Sequence, residues 1–238
     1  MKSGRPGVRA FELGAAAAYL YRVNGARGEG YAPIIPCGAN VWDAHWCRND
    51  DVLRTGEFVL FDCAPDFGYY TSDIGRMWVA GGRFCPWQRE LYGFIALFHS
   101  TLLRLIRPGR DAGGILEEAA AGMKRVIEST SWSKPSFEKA ARATLSYTGH
   151  LSHPVGMAVH DVGDYRNRLL EPGMVFAVDP QLWVPEEKLY VRVEDTVAVT
   201  DDGIENLTKD APFRMEDVER VAGTGGLVQA FPPLEATA

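Results

Sequence analysis

Two stretches of the sequence repeat one pattern: Gly56–Asp62, GEFVLFD, and Gly173–Asp179, GMVFAVD. Each begins with a glycine suited to a turn, continues as an apolar run typical of a buried β-strand, and ends in an aspartate. A second strand pattern follows each run and contains an acid, Asp73 in the first half and Glu194 in the second. Helical sequence precedes each half. The chain is therefore predicted to form two similar α/β halves whose strand ends bring carboxylates together.

The acids of this repeat suggest a metal site. An ionised carboxylate is costly to bury unless it meets a partner or a metal ion, although a single aspartate at a strand end is more often a turn cap. Four carboxylates and one imidazole would form a hard, oxygen-rich set that suits two divalent cations, and this set favours Mn²⁺ over a thiolate-type zinc site. The four acids are Asp62, Asp73, Asp179 and Glu194.

The imidazoles come from Leu151–Asp161, LSHPVGMAVHD, which contains two histidines seven residues apart. In a continuous strand this offset would put His153 and His160 on opposite faces, whereas Pro154 and Gly156 argue against a helix. The segment is therefore predicted to be a loop that leads into a strand. A hydrogen-bonded, half-buried histidine is the alternative interpretation for each residue.

The composition limits the class of protein. With 238 residues, of which 46% are hydrophobic, the chain can bury a substantial core. The net charge of −6 comes without a cluster of lysines and arginines, so a nucleic-acid or membrane partner is disfavoured and a small substrate or peptide is favoured. No apolar run reaches transmembrane length, and we expect a cytoplasmic protein. The cysteines form no CxxC pair and are expected to be reduced thiols: Cys37, Cys47, Cys63 and Cys85.

The hydrophobic pattern predicts helices and strands in both halves. The predicted helices are Phe11–Val23, Pro86–Ile106 and Ala112–Ser129. The predicted strands are Phe58–Asp62 and Tyr69–Val79 around a turn at Pro65–Gly68, then Val175–Val178 and Leu189–Thr200 joined by a hairpin loop and closed by the turn Asp201–Gly203. The last nine residues, 230–238, are expected to form a frayed tail.

Five motifs resemble the creatinase/aminopeptidase P/methionine aminopeptidase superfamily of metallopeptidases. They are FDCAPDFGYYTSDIGR at Phe61–Arg76, HPVGMAVHD at His153–Asp161, LEPGMVFAVDP at Leu170–Pro180, RVEDTVAVT at Arg192–Thr200 and PIIPCGANVWDAHW at Pro33–Trp46. The SDIGR sequence and the segment Gly81–Tyr92 that follows it are most similar to the Xaa-Pro aminopeptidase and prolidase branch.

The resemblance implies a fold and a domain organisation. The fold is the pita-bread fold, an α/β (α+β) architecture of two pseudo-symmetric halves with a curved, mainly antiparallel sheet covered by helices. We expect residues 1–238 to form a single pita-bread catalytic domain. The N-terminal domain that is common in aminopeptidase P and prolidase is expected to be absent.

The resemblance also implies a metal-binding role for five residues. Asp62 matches the first metal-ligating aspartate of the superfamily, and Asp73 matches the aspartate that bridges both metals. His153 matches the single histidine ligand, and Glu194 matches the bridging glutamate. Asp179 stands where the superfamily usually has a glutamate, which is a metal ligand and a candidate general base.

Three further residues are implied to contact the substrate. His45 and His160 match histidines that line the substrate site without binding metal. His160 is expected to donate to the scissile carbonyl oxygen, and His45 is expected to assist on the leaving-group side. Arg192 is expected to hold a carboxylate, either of the substrate or of the site itself.

The function implied is that of a dinuclear metallopeptidase that hydrolyses the bond between an N-terminal residue and proline through a hydroxide bridging two metal ions. Mn²⁺ is the expected metal, with Co²⁺ or Zn²⁺ as alternatives, and a homodimer remains open. The alternative functions are an Xaa-Pro dipeptidase (prolidase), a metal-free creatinase-like amidinohydrolase, and a non-catalytic module that binds peptides or proteins. The set of five ligand-type residues argues against the last two, while Asp179 in place of glutamate keeps the binding module open.

Overall fold

The structure of the protein is a computed structural model, and it describes residues 1–233. Its helices are α1 Ala10–Val23, α2 Pro86–Leu105, α3 Ala112–Ser129, α4 Pro135–Ser146, α5 Met215–Val221 and α6 Leu227–Ala230. Its strands are β1 Gly28–Glu29, β2 Phe58–Asp62, β3 Pro65–Asp66, β4 Gly75–Val79, β5 Val175–Val178, β6 Gln181–Val184, β7 Leu189–Arg192, β8 Asp195–Val199 and β9 Ile204–Asn206.

The two copies of the sequence repeat form equivalent antiparallel pairs. In the first half β2 pairs with β4, from Phe58 opposite Val79 to Asp62 opposite Gly75. In the second half β5 pairs with β8, from Val175 opposite Ala198 to Val178 opposite Asp195. At one end of each pair, an aspartate therefore lies at the end of the first strand, and another acid lies close to the beginning of the second strand.

Backbone hydrogen bonds join the halves at that end. The amide of Glu194 donates to the carbonyl oxygen of Gly75 at 3.0 Å, so the first residues of β8 lie beside the first residues of β4. The segment Leu151–Val155 lies along β5, because the amide of Ala177 donates to His153 O at 2.9 Å. The order expected for this segment is therefore wrong, since the extended part comes first and residues 156–160 form bends after it.

Helices cover the strands and form the core. Helix α2 begins at Pro86 and packs against β5, β6 and β7, while α3 and α4 pack against it and against each other. Asp111 caps α3 by accepting a hydrogen bond from the amide of Gly114 at 2.8 Å. Fully buried side chains of the core include Trp78, Tyr92, Phe137, Phe176 and Tyr190.

Helix α4 and strand β6 are among the elements that were not predicted from the sequence. Helix α4 buries Phe137, Ala140, Ala141 and Leu145. Two of these four side chains are short, and the residues before the helix are rich in serine, so the hydrophobic signal of this stripe is weak. Strand β6 has four residues between Pro180 and Pro185, and flanking prolines are typical of a turn rather than of a strand.

Two predicted strands are shorter than the apolar pattern indicated. Tyr69 has a left-handed φ of +72°, which a strand does not accept, so regular pairing begins only at Gly75, and Pro65–Asp66 forms β3 rather than a turn. The run Leu189–Thr200 divides at Val193–Glu194, because β7 pairs with β6 whereas β8 pairs with β5. The turn at Asp201–Gly203 is confirmed by the hydrogen bond from Thr200 N to Gly203 O at 3.0 Å.

The C-terminal tail predicted over residues 230–238 is covered only in part. Ala230 is the last residue of α6, and 231–233 carry no regular structure beyond a bend. Residues 234–238 lie outside the described residues. Among the helices of residues 1–233, none combines the length and apolar character that crossing a membrane requires.

Replacing Phe176 by alanine tests the core of the second half. Phe176 is fully buried on β5 and stacks on Tyr165 with ring centroids 4.6 Å apart. We expect Phe176→Ala to lower the free energy of unfolding by about 3–5 kcal/mol, measured by urea titration followed by circular dichroism. Phe231→Ala is the control, because that ring is 73% exposed, and an equal loss in both variants would contradict the packing described here.

Candidate metal centre

Three buried acids meet where the two strand pairs are joined. Asp62 ends β2, Asp73 lies two residues before β4, and Glu194 lies one residue before β8. Each offers a carboxylate oxygen, and these oxygens lie within 4.8 Å of one another. The three residues are 3%, 5% and 1% exposed, so water can do little to reduce the repulsion between their charges.

Gly75 makes room for this convergence. A Cβ atom at this position would lie 2.9 Å from Glu194 Oε2 and 2.9 Å from Arg192 Nε, closer than non-bonded atoms approach. The glycine of the SDIGR sequence is therefore required by the close approach of the second half, and its backbone conformation is ordinary. A side chain here would push Glu194 away from the two aspartates.

The two histidines lie beside the acids. His153 Nε2 is 3.2 Å from Asp73 Oδ2, and His153 Nδ1 is 3.1 Å from the carbonyl oxygen of Pro154. Nε2–H can donate to Asp73; when Nε2 loses its proton and Nδ1 donates to the Pro154 carbonyl, the lone pair of Nε2 faces the acids. The ring of His160 lies 3.9 Å from that of His153, and a nitrogen of each ring lies within 4.8 Å of Asp73. His153 is half-buried and His160 is exposed.

Asp179 is placed at the edge of this group. It follows β5 directly, and its side chain is 5% exposed. Its Oδ2 accepts a hydrogen bond from Gln181 Nε2 at 2.6 Å and lies 3.4 Å from Arg192 Nη1. Its Oδ1 is buried and meets no hydrogen-bond donor within residues 1–233. The structure thus brings Asp62, Asp73, His153 and Glu194 together and keeps Asp179 turned toward Gln181.

Arg192 is the counter-charge of the acids. Its guanidinium is 5% exposed, Nη2 contacts Asp62 and lies 3.3 Å from Glu194 Oε2, and Nη1 faces Asp179. Register explains this position, because Arg192 is the last residue of β7 and the chain changes sheet partner directly after it. Of the two roles expected for Arg192, the geometry shows contact with carboxylates of the site itself.

Burial and mutual repulsion shift the pKa values of the acids. Burial raises the pKa of Asp62 to about 6, although Arg192 acts in the opposite direction. Burial also raises the pKa of Glu194 well above its usual range, and the charges of Asp179 and Asp73 add to this effect. For Asp73 burial is outweighed by the hydrogen bond from His153 and by Arg192, so its pKa is lowered. One guanidinium is therefore too little positive charge for this set of acids.

Tyr31 is a site residue that the sequence did not indicate. Its hydroxyl lies 2.5 Å from Asp62 Oδ1 and 2.8 Å from Asp73 Oδ1, so its single proton can be donated to either carboxylate. Burial and the nearby acids raise the pKa of Tyr31 well above its usual value, which keeps the phenol protonated. Tyr31 lies two residues before the motif that begins at Pro33, and nothing in its own neighbourhood distinguishes it from a core tyrosine.

His45 lies on the exposed loop that follows the short 3₁₀ helix Gly38–Trp42. Its backbone amide donates to Asp43 Oδ1 at 3.2 Å, which holds the loop in a turn. Burial lowers the pKa of His160, and the imidazoles of His153 and His45 lower it further. His160 is therefore mainly neutral at neutral pH, and a neutral imidazole has one N–H donor and one acceptor.

A second group of buried polar side chains, centred on Asp195 and Arg76, holds the backbone of Glu194 in place. Asp195 Oδ1 accepts hydrogen bonds from Arg76 Nη2 and from Thr208 Oγ1, both at 2.5 Å. Arg76 Nη1 donates to the backbone carbonyl of Glu194, and His99 Nε2 lies 3.3 Å from Asp195 Oδ2. Arg76 and Asp195 belong to the SDIGR and RVED sequences, but His99 lies within α2 and carries no such signal.

A mainly apolar cavity of about 410 Å³ adjoins Asp179. Asp179, Gln181 and Trp183 form one wall, and Tyr147 and His150 form part of another. The cavity extends toward Leu102 and Leu116 under α4, so an apolar group of moderate size can enter it beside Asp179.

Comparison with known proteins identifies the class. Residues 1–201 match metallopeptidase family M24, and the chain belongs to this family. The Xaa-Pro aminopeptidase of Escherichia coli K12 is 33% identical over 233 residues, covering 92% of this chain and 53% of that protein. Xaa-Pro aminopeptidase 3 of Mus musculus is 33% identical over 211 residues, covering 84% of this chain and 42% of that protein.

Solved structures show the same fold. The low-pH form of E. coli aminopeptidase P has a TM-score of 0.81 at 32% identity, covering 93% of this chain and 53% of that chain. A zinc-substituted form of the E. coli protein, in complex with product, has a TM-score of 0.79 at 31% identity, covering 93% of this chain and 53% of that chain. The pita-bread fold and the resemblance to the Xaa-Pro aminopeptidase branch are confirmed. The chain spans about half the length of these relatives.

Removing the guanidinium tests the charge balance of the site. In chelator-treated protein we expect Arg192→Met to lower the free energy of unfolding by about 3–5 kcal/mol at pH 7.5, because buried carboxylates lose their counter-charge. The loss should be smaller at pH 4.5, since the raised pKa of Asp62, about 6, lets the folded protein take up a proton there. Urea titrations at both pH values measure the difference.

Arg142→Met is the control for this experiment, because Arg142 pairs with Glu138 on the surface and is 53% exposed. Its loss should stay below about 1 kcal/mol at both pH values. A penalty for Arg192→Met that is the same at pH 4.5 and pH 7.5 would show that packing, not charge, is the contribution of Arg192.

Proposed function

We propose that the protein is a metal-dependent aminopeptidase that hydrolyses the bond between an N-terminal residue and proline. One observation carries the proposal: buried acids and an imidazole converge with more negative charge than Arg192 can offset, in a fold shared with aminopeptidase P. The names of the relatives supply the specificity for proline.

The residues present fit two divalent cations. Asp73 belongs to both groups of ligand atoms, one with Asp62 and Glu194 and the other with the two histidines, so it is suited to a position between two ions. Oxygen donors with one imidazole favour Mn²⁺, and zinc stays an alternative in view of the zinc-substituted relative. When bound, the ions would polarise the scissile carbonyl and lower the pKa of the attacking water. We propose Asp62, Asp73, His153, Asp179 and Glu194 as the residues that hold them.

The remaining side chains would orient the substrate and move protons. The neutral imidazole of His160 can donate its N–H to the scissile carbonyl oxygen as negative charge develops there. His45, on the exposed loop after the 3₁₀ helix Gly38–Trp42, would contact the peptide on its leaving-group side. Asp179 Oδ1 is buried and meets no donor among residues 1–233, so Asp179 would accept a proton from water and serve as general base. Tyr31 would hold Asp62 and Asp73 in one orientation through its hydroxyl.

The cavity beside Asp179 suits the part of the peptide that follows the scissile bond. Its walls are mainly apolar, and a proline ring offers apolar surface without an N–H that would need a partner. An aminopeptidase releases a peptide from this side, whereas an Xaa-Pro dipeptidase accepts proline only as the last residue. The substrate length therefore separates the two enzymes.

The test combines metal analysis with a short peptide panel. Protein purified without chelator should contain about two equivalents of Mn²⁺, Co²⁺ or Zn²⁺ by elemental analysis. With added Mn²⁺ it should cleave Ala-Pro-Ala, and Ala-Ala-Ala should be a much poorer substrate. Cleavage of Ala-Pro alone would support the dipeptidase, and metal binding without cleavage of any peptide would support the peptide-binding module. Protein that binds no divalent cation would contradict the proposal.

Replacing Asp73 tests the shared position between the ions. Asp73→Ala should lose metal and peptidase activity together, with activity falling by at least about 10³-fold, because both groups of ligand atoms contain this residue. Elemental analysis and Ala-Pro-Ala hydrolysis measure the two losses. Glu117→Ala, an exposed acid on α3, should change neither. Retention of two ions by Asp73→Ala would rule out the shared position.

Replacing His160 separates catalysis from metal binding. His160→Ala should keep its metal while kcat falls by about 10²–10⁴-fold, because a donor to the developing oxyanion is lost. Isothermal titration calorimetry with Mn²⁺ and steady-state kinetics give the two quantities. Wild-type kinetics in this variant would mean that the assigned role is wrong, and loss of metal would make His160 a ligand instead.

A further inference from the structure

Asp179 is held by residues on the β6–β7 hairpin. Gln181 Nε2 donates to Asp179 Oδ2 at 2.6 Å, and Arg192 Nη1 lies 3.4 Å from the same oxygen. Gln181 and Arg192 are opposite each other in the antiparallel register, so their side chains share one face of the hairpin. Two donors from this face thus converge on a single oxygen of the carboxylate, and Oδ1 meets no hydrogen-bond donor among residues 1–233.

The orientation of the Gln181 amide is fixed by a second contact. Trp183 Nε1 donates to Gln181 Oε1 at 3.1 Å. An indole N–H is a donor and never an acceptor, so the oxygen of the amide must face Trp183 and its NH₂ group must face Asp179. Trp183 follows Gln181 by two residues and therefore lies on the same face of β6.

The indole itself is held on two sides. The ring of Trp183 packs against Tyr190, its partner in the register, with centroids 4.2 Å apart, and against the edge of Trp42 at 5.1 Å. Tyr190 is fully buried, which makes this stack part of the core. A rigid aromatic group therefore orients an amide, and the amide orients a carboxylate.

We propose that Gln181, oriented by Trp183, is a positioning residue that sets the rotation of Asp179 so that Oδ1 faces the metal centre. This inference rests on the proposed function. The side chain of Asp179 is one methylene shorter than glutamate and reaches less far toward the other acids. If it rotated freely, Arg192 would be free to bind both of its oxygens and withdraw it from the cations. The hydrogen bond from Gln181 fixes the position of Oδ2 and opposes this rotation.

The test replaces Gln181 by methionine, which keeps the length of the side chain and removes both hydrogen bonds. We expect Gln181→Met to bind one of the two Mn²⁺ ions about 10–100-fold more weakly in isothermal titration calorimetry, because partners that orient a ligand have effects of this size. Trp183→Phe should weaken the same ion by a smaller factor, since the amide is then free to turn. Trp87→Phe, a similar change on α2 away from the site, should leave both affinities unchanged.

A rescue distinguishes orientation from general damage to the fold. Because glutamate has the longer side chain, we expect Asp179→Glu combined with Gln181→Met to recover most of the Mn²⁺ affinity that Gln181→Met loses. Wild-type affinity for both ions in Gln181→Met would overturn the positioning role while leaving the peptidase proposal intact. A fall in affinity that Asp179→Glu does not recover would also overturn it. A parent protein that binds no Mn²⁺ would instead refute the proposed function, and this role with it.

Discussion

The mutual repulsion of buried carboxylates is the constraint on which this structure depends. Asp62, Asp73 and Glu194 are brought into one water-poor space from two halves of the chain, and Asp179 adds a fourth acid at its edge. In such surroundings like charges repel far more strongly than at a surface, and only a counter-charge or a shared proton relieves them. Arg192 supplies one counter-charge, and burial, with repulsion from the neighbouring acids, still raises the pKa values of Asp62 and Glu194. The remainder is what divalent cations can offset.

The surrounding architecture serves to hold this unfavourable arrangement in place. Paired strands fix the backbone on each side, and Gly75 allows the halves to approach closely enough for Glu194 to join the aspartates. Arg76 and Asp195 form a buried ion pair next to Glu194, and Arg76 also donates a hydrogen bond to the backbone carbonyl of Glu194. The charged cluster is thus held between the Arg76–Asp195 ion pair and the apolar core, and its side chains have little freedom to move apart.

The sequence was most informative where local pattern and tertiary structure agree. The repeated strand followed by aspartate predicted both antiparallel pairs, and the ends of β2 and β5 were placed correctly because each coincides with a change from apolar to charged residues. Tyr31, His99 and Gln181 were missed because each acts through contacts with residues distant in the sequence or across a hairpin. The division of Leu189–Thr200 was missed for a similar reason: a change of sheet partner leaves no mark on the apolar pattern. The motifs indicated where ligands would converge, but the edge position of Asp179 depends on Gln181, which the motifs do not include.

The break between β7 and β8 bears on which changes of sequence the site can tolerate. Arg192 ends β7 and Glu194 directly precedes β8. The guanidinium and a carboxylate that it neutralises are therefore only two residues apart, and no loop separates them. Side chains of extended chain alternate in direction, and a single inserted or deleted residue here would reverse one of them relative to the other. Changes of sequence in this segment are therefore limited to substitutions that keep its length. The loops at the far ends of the strand pairs are where the chain can lengthen or shorten without disturbing the candidate metal centre.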